Sequence, residues 1–164
     1  MKQSLRDLQG VVDQQLAILC ELEETLSGQR DRLVERDTPG ILDSIQKQGE
    51  VLLRAETIDR ARRHTMDEIA RPLGLARGIT LGALIEALPA GEVEALRRVY
   101  VDIHATLERI RRLNKVNQRL IRRALRGIET AMQALPGPQS RSTYESSGKV
   151  RPPSMARTLI DQTT

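Results

Sequence analysis

Leu5, Val12, Leu19, Leu26 and Leu33 recur every seven residues, and Leu8, Leu16 and Leu22 fill much of the complementary row. Side chains at this period lie along one seam, so the pattern predicts a coiled-coil-type helix over about residues 4–36. Ser4 is placed to cap it, with Asp7 three residues on. The stretch "RDTPG" then breaks the helix. Thr38 is the expected N-cap of the next one and Pro39 its first residue, where the missing proline N–H has no helical partner in any case. This second helix is expected over about 39–66, with Leu42, Ile45, Leu52, Ala55, Ile58 and Met66 on its apolar face and Gly49 weakening its middle. In "RPLGLARGITLGALIEALPAG", residues 71–91, glycines and prolines interrupt short apolar patches. Thr80 is placed to cap a short helix over 80–88. Leu73, Leu75, Ile79, Leu81, Leu84 and Leu88 are too many apolar groups to leave in water, which makes the segment an ordered connector. From Glu92 to Leu135 there is no proline and one glycine, Gly127, so a long last helix is expected over about 92–135. Its stripe runs Leu96, Val99, Ile103, Leu107, Ile110, then Asn114 and Asn117, then Ile121, Ala124, Ile128 and Leu135. "LPGP" ends it, because proline cannot donate the helical hydrogen bond and crowds the preceding turn.

Three long helices and no strand signal predict an all-α fold. The expected arrangement is an elongated antiparallel three-helix bundle of coiled-coil character, with an extra short helix and a disordered C-terminal tail. The bundle is assigned to residues 1–135, with overhanging ends because the last helix exceeds the second. The tail, 136–164, is rich in Pro, Ser, Thr and Gly and buries too little apolar surface to offset the entropy of ordering. Tyr144 and the pair Leu159–Ile160 are its exceptions, side chains able to dock elsewhere.

Composition agrees with helix packing. Among the 164 residues there is no Phe or Trp and there are only two Tyr, so the core is built from Leu, Ile, Val, Ala and Met. The net charge is +4 and unevenly spread. Residues 1–91 carry 12 bases and 15 acids, residues 92–135 carry 10 and 5, and the remainder carries 4 and 2. An acidic front half and a basic last helix complement each other in a bundle. No run approaches the roughly 18 apolar residues of a membrane span, so no membrane insertion is expected. Acid and amide side chains near Met1 do not fit a secretory signal, and a cytoplasmic location is expected. The one cysteine, Cys20, excludes an internal disulfide and reads as a small buried apolar side chain beside the first seam.

Catalytic chemistry does not assemble from these residues. His64 and His104 fall in different helices, without cysteines or paired carboxylates at ligand spacing. The glycines of "PLGLARG" and "GITLGAL" fit no phosphate-binding loop. Neither enzyme activity, nor a cofactor, nor a metal is expected. Arg111, Arg112, Lys115, Arg119, Arg122, Arg123 and Arg126 could contact phosphates, but no aromatic platform interleaves with them. A solvated helix face laced with ion pairs accounts for them better, and nucleic acid is not the expected partner.

Two amides in an apolar stripe admit two readings. Either Asn114 or Asn117 sets the register by pairing with a polar group such as Gln15 on a facing helix, or the stretch is partly uncovered. In the second case a groove flanked by Leu113, Val116, Leu120, Ile121, Leu125 and Ile128 would receive an amphipathic helix.

Several features in this order resemble the FlgN-like flagellar export chaperones. They are the leading heptad helix with "ILCELEETL", "RD" at the first turn, "NKVNQRLIRRAL" in the long last helix, and a tail with Tyr144 and Gly148. Glu145 follows the tyrosine where that family usually has glycine. The resemblance implies a cytoplasmic chaperone of flagellar type III export. It would bind the C-terminal helices of hook–filament junction proteins of the FlgK and FlgL type, keep them from associating early, and present them to the export apparatus. The partner-facing residues it implies are Asn114, Asn117, Leu120 and Ile121. Helical spacing adds Leu113, Ala124, Leu125, Ile128 and Met132, and Tyr144 would be a tail anchor. The rival readings are a coiled-coil structural adaptor with no export role and, further off, a basic helical nucleic-acid-binding protein.

Overall fold

In the computed structural model, residues 2–134 are described. The helices are α1 (Lys2–Glu35), α2 (Thr38–Ala70), α3 (Leu81–Ala87) and α4 (Ala90–Ala134), with a 3-10 turn at Arg71–Leu73. The fold is all-α, and no strand occurs among the described residues. The chain divides into two compact units, Met1–Ile121 and Arg122–Thr164. The division falls inside α4. Of the second unit the described part is the last turns of α4. The expected tail after Pro136, with Tyr144 and Leu159–Ile160, lies outside the described residues.

Within the first unit the helix directions follow from side-chain pairs. Arg54 of α2 meets Glu21 of α1 at 2.7 Å, and Ser44 of α2 meets Arg32 at 2.5 Å. Numbers rise along α1 as they fall along α2, so the two are antiparallel. Arg109 of α4 meets Glu23 at 2.7 Å, and Asn117 meets Leu26 and Gln29. Here both numbers rise together, so α4 runs parallel to α1. This is the up-down-up order of a three-helix bundle.

The α1–α2 turn closes through Arg36, which takes a left-handed backbone (φ 61), and through the Asp37 N–H, which donates to the Arg32 carbonyl at 3.0 Å. That bond satisfies one of the last carbonyls of α1. Asp37, not Thr38, is the N-cap of α2: its carboxylate accepts from the Gly40 N–H at 3.2 Å, and Thr38 and Pro39 are the first helical residues. The expected cap fails one residue late because the carboxylate reaches the free N–H groups from Asp37. Ser4 is likewise inside α1, which begins at Lys2. α2 runs four residues beyond Met66, up to the turn containing Pro72. Thr80 caps α3 as expected, accepting from the Ala83 N–H at 3.2 Å.

The apolar core sits at one end of this unit. Leu5, Leu8 and Val12 of α1 meet Met66 and Ile69 of α2, Leu84 and Ile85 of α3, and Val93, Leu96 and Ile103 of α4. The connector is therefore part of the core, its leucines closing the end of the bundle. Gly82 is what lets α3 approach: a Cβ there would lie 2.8 Å from the Tyr100 hydroxyl. Towards the α1–α2 turn the interior becomes polar, with Thr25, Gln29, Ser44, Thr106 and Asn117 buried beside Leu26, Val51 and Ile110.

Two expectations about packing are overturned. The first half of the α2 face assigned to the core points outward, with Leu42, Ile45 and Leu52 63%, 52% and 54% exposed, while Ala55 and Ile58 are half-buried and Met66 is buried as expected. The buried seam instead runs through Ser44 and Val51 to Ile58 and Met66. Small side chains at Ser44 and Val51 let α2 lie close on α1, where Arg32 donates to Ser44 Oγ and to the Gly40 carbonyl. Cys20, expected in the interior, is exposed.

Candidate docking surface on α4

The buried face of α4 keeps strict coiled-coil spacing. Leu96, Ile103, Ile110 and Asn117 recur every seven residues and are buried; Thr106 is also buried, and Val99, Leu113 and Leu120 are half-buried in the complementary row. The stripe does not continue: Ala124, Gly127 and Ala131 occupy the next places in this pattern. A second stripe, Ile121, Leu125, Ile128 and Met132, begins where the first ends. At 3.6 residues per turn it is rotated by roughly 80° about the helix. Its members are 36%, 54%, 57% and 68% exposed, and Ala124 is exposed with them.

The two asparagines separate. Asn117 is 2% exposed and donates through Nδ2 to the Leu26 carbonyl at 2.9 Å and to Gln29 Oε1 at 3.0 Å. Its partner on α1 is Gln29, almost four helical turns past the expected Gln15. Asn117 Oδ1 is buried without a hydrogen-bond partner. An amide engaged in this way is not available to a docking helix, so Asn117 leaves the partner-facing set. Asn114 is exposed, its side chain pointing about 60° round the helix from that of Asn117. Of the other expected residues, Leu113 and Leu120 are half-buried in the seam, and Tyr144 lies outside the described residues. Val116, expected to flank the groove, is 39% exposed, and exposed apolar residues not foreseen are Val101 on α4, Val34 on α1, and the α2 group Leu42, Ile45, Leu52 and Leu53. The recurrence of Ser44, Val51 and Ile58 every seven residues was the available signal that the α2 seam lay elsewhere.

Charge surrounds these faces unevenly. Arg109 bonds Glu23, which holds its guanidinium above its ordinary value, and Arg111 bonds Glu108. Arg112, Lys115, Arg119, Arg122, Arg123 and Arg126 make no ion pair among the described residues. Of the seven cations grouped on this face in the sequence, the ion-pair account therefore covers Arg111 alone among the described residues. A shallow open depression of about 460 Å³ between α1 and α4 is lined by Glu23, Glu24, Ser27, Arg30, Arg109, Arg112 and Leu113. Its mixed charges converge on no reactive group. His64 is exposed, 3.8 Å from Glu68, and His104 packs edge-on against Tyr100 at 4.4 Å. Among the described residues no three of His, Cys, Asp and Glu gather to hold a metal, and no helix is long and apolar enough to cross a membrane.

No curated protein and no solved structure matches the chain. One protein family does, that of the FlgN protein, over residues 1–152. That span takes in every helix described above, the buried Asn117 and the exposed stripe from Ile121, and the chain belongs to the FlgN family of flagellar export chaperones.

Proposed function

We propose that this chain is a cytoplasmic chaperone of flagellar type III export that holds the C-terminal helices of hook–filament junction proteins of the FlgK and FlgL type. The bound helix lies on α4 along Ile121, Leu125, Ile128 and Met132, with Ala124 leaving room for its backbone. Asn114 offers an amide, and the half-buried Leu113 and Leu120 form the inner edge. Binding there covers the apolar surface through which the client would associate, and delivery brings the complex to the export apparatus. The observation that carries this reading is the second stripe itself. Four large apolar side chains in helical register stay exposed, which is costly unless a partner covers them. Family membership supplies the class of partner, flagellar proteins.

The test is co-expression with the C-terminal segments of the two junction proteins, followed by size-exclusion chromatography. Co-elution that is lost in Ile121→Asp supports the reading. A folded protein that co-elutes with neither segment overturns it in favour of a structural adaptor.

A further inference from the structure

The cations of α4 form a row that the proposed function does not use. Between Glu108 and Glu129 the helix carries eight Lys and Arg side chains and no acid. Five of them, Arg112, Lys115, Arg119, Arg122 and Arg126, follow one another at steps of three and four residues. All five stand on one helix, so they share an arc of about 80° and span roughly 21 Å. Each is exposed, and none makes an ion pair among the described residues. Arg112 shares the open depression with Glu23 and Glu24 of α1, but Glu23 is engaged by Arg109. Like charges at this spacing repel along a helix, and nothing described within the chain relieves them.

The shape of the row decides what can sit on it. It lies about 180° round α4 from Asn117, whose amide is bonded to α1, and so projects away from that seam. Five cations within one narrow arc meet a flat surface together. A helix in a duplex groove has phosphates on both flanks, whereas here one flank carries Ile121 and Leu125. No aromatic side chain stands between Glu108 and Glu129 to stack an unpaired base. The row therefore suits negative charge spread over a surface better than a nucleic acid.

We propose that this row attaches the protein to an anionic lipid surface, with Arg112, Lys115, Arg119, Arg122 and Arg126 on the headgroup phosphates. A cluster of roughly four to eight basic side chains on a helix is suited to such binding. No helix among the described residues is long and apolar enough to cross a membrane, so this attachment is peripheral and electrostatic. The stripe of Ile121, Leu125, Ile128 and Met132 is centred about 130° from the row, which leaves it open while lipid is bound. A client and the membrane could then be held at once. That consequence rests on the function proposed above, whereas the lipid contact does not.

Cosedimentation of the full chain with vesicles tests the proposal. Vesicles of phosphatidylcholine mixed with phosphatidylglycerol should bind the protein, and phosphatidylcholine alone should not. Binding should weaken steeply as salt is raised. Lys115→Gln, Arg119→Gln and Arg122→Gln should each weaken it about fivefold, and the three together about a hundredfold. Far-ultraviolet circular dichroism should stay unchanged, because all three sites are exposed. Removing the same charge elsewhere, with Arg6→Gln, Lys47→Gln and Arg60→Gln together, should weaken binding far less. No binding to the anionic vesicles, equal binding to both kinds, or equal loss in the two triple variants would each overturn the proposal. Binding to a random single-stranded RNA but not to anionic vesicles would overturn it in favour of nucleic acid. Failure of client co-elution with vesicle binding intact would count against the proposed function and leave this inference standing.

Discussion

Asn117 and Gln29 are 88 residues apart in sequence and 3.0 Å apart in the bundle, joined by the Asn117 amide donating to Gln29 Oε1. The same amide donates to the Leu26 carbonyl, so both hydrogens of Nδ2 are used and both neighbours are acceptors. The arrangement accepts a donor and nothing else. Asn117→Asp should therefore destabilise by about 2 kcal/mol or more at neutral pH, since a buried carboxylate would meet two acceptors and no donor. The loss should shrink in acid, where the protonated carboxyl can donate. Asn117→Leu together with Gln29→Leu should stabilise by about 1 kcal/mol, because it also removes the unpartnered Asn117 Oδ1. Urea denaturation of the three proteins checks both statements.

The close approach of α3 to α4 rests on Gly82. A methyl group there meets the Tyr100 hydroxyl at 2.8 Å and its Cζ at 3.2 Å. Gly82→Ala should cost about 1–3 kcal/mol, as overpacked cores do. In a Tyr100→Phe background, where the nearest atom is gone, the same change should cost less. A double-mutant cycle measures the difference, and additive costs would place the clash elsewhere.

The connector is pinned by Asp67. Its carboxylate accepts from the Gly78 N–H at 3.1 Å, which lowers its pKa, and although desolvation pushes the other way the Arg77 guanidinium at 3.5 Å lowers it further. A carboxyl depressed in the folded state contributes stability above its unfolded value, and the contribution disappears as pH falls through the depressed value. The Gly78 amide resonance should titrate with a midpoint below the ordinary aspartate value of about 3.9. A midpoint at or above that value would show the bond absent in solution. Gly78 has φ 75 with open space around it, so Gly78→Ala should cost about 1 kcal/mol from the backbone alone.

Exposure separates binding from stability along α4. Leu125→Asp and Ile128→Asp should change unfolding free energy by no more than about 0.5 kcal/mol while abolishing co-elution with the client segments. Ile110→Asp, at a position only 6% exposed, should unfold the bundle. Calorimetry beside the binding assay distinguishes the two classes, and a large stability loss at Leu125 would show that this residue is covered within the chain.

The helices themselves were legible in the chain. Heptads in the first and last, Pro39 after the first turn, Thr80 before α3 and the unbroken run from Glu92 are local signals, and each acts through the backbone within a few residues. They decided how many helices there are and nearly where each begins. What they could not decide is which side of a helix faces inward when more than one side is apolar. On α2 the stripe Leu42–Ile45–Leu52 and the seam Ser44–Val51–Ile58 have the same local periodicity. The choice fell to the seam because Arg32 and the backbone of α1 come close only to small side chains. On α4 two amides three residues apart were equivalent in sequence, and a rotation of about 60° put one on Gln29 and left the other in solvent. Periodicity fixes angles within one helix. Only the neighbouring helix, 88 residues away along the chain, fixes which of those angles is the inside.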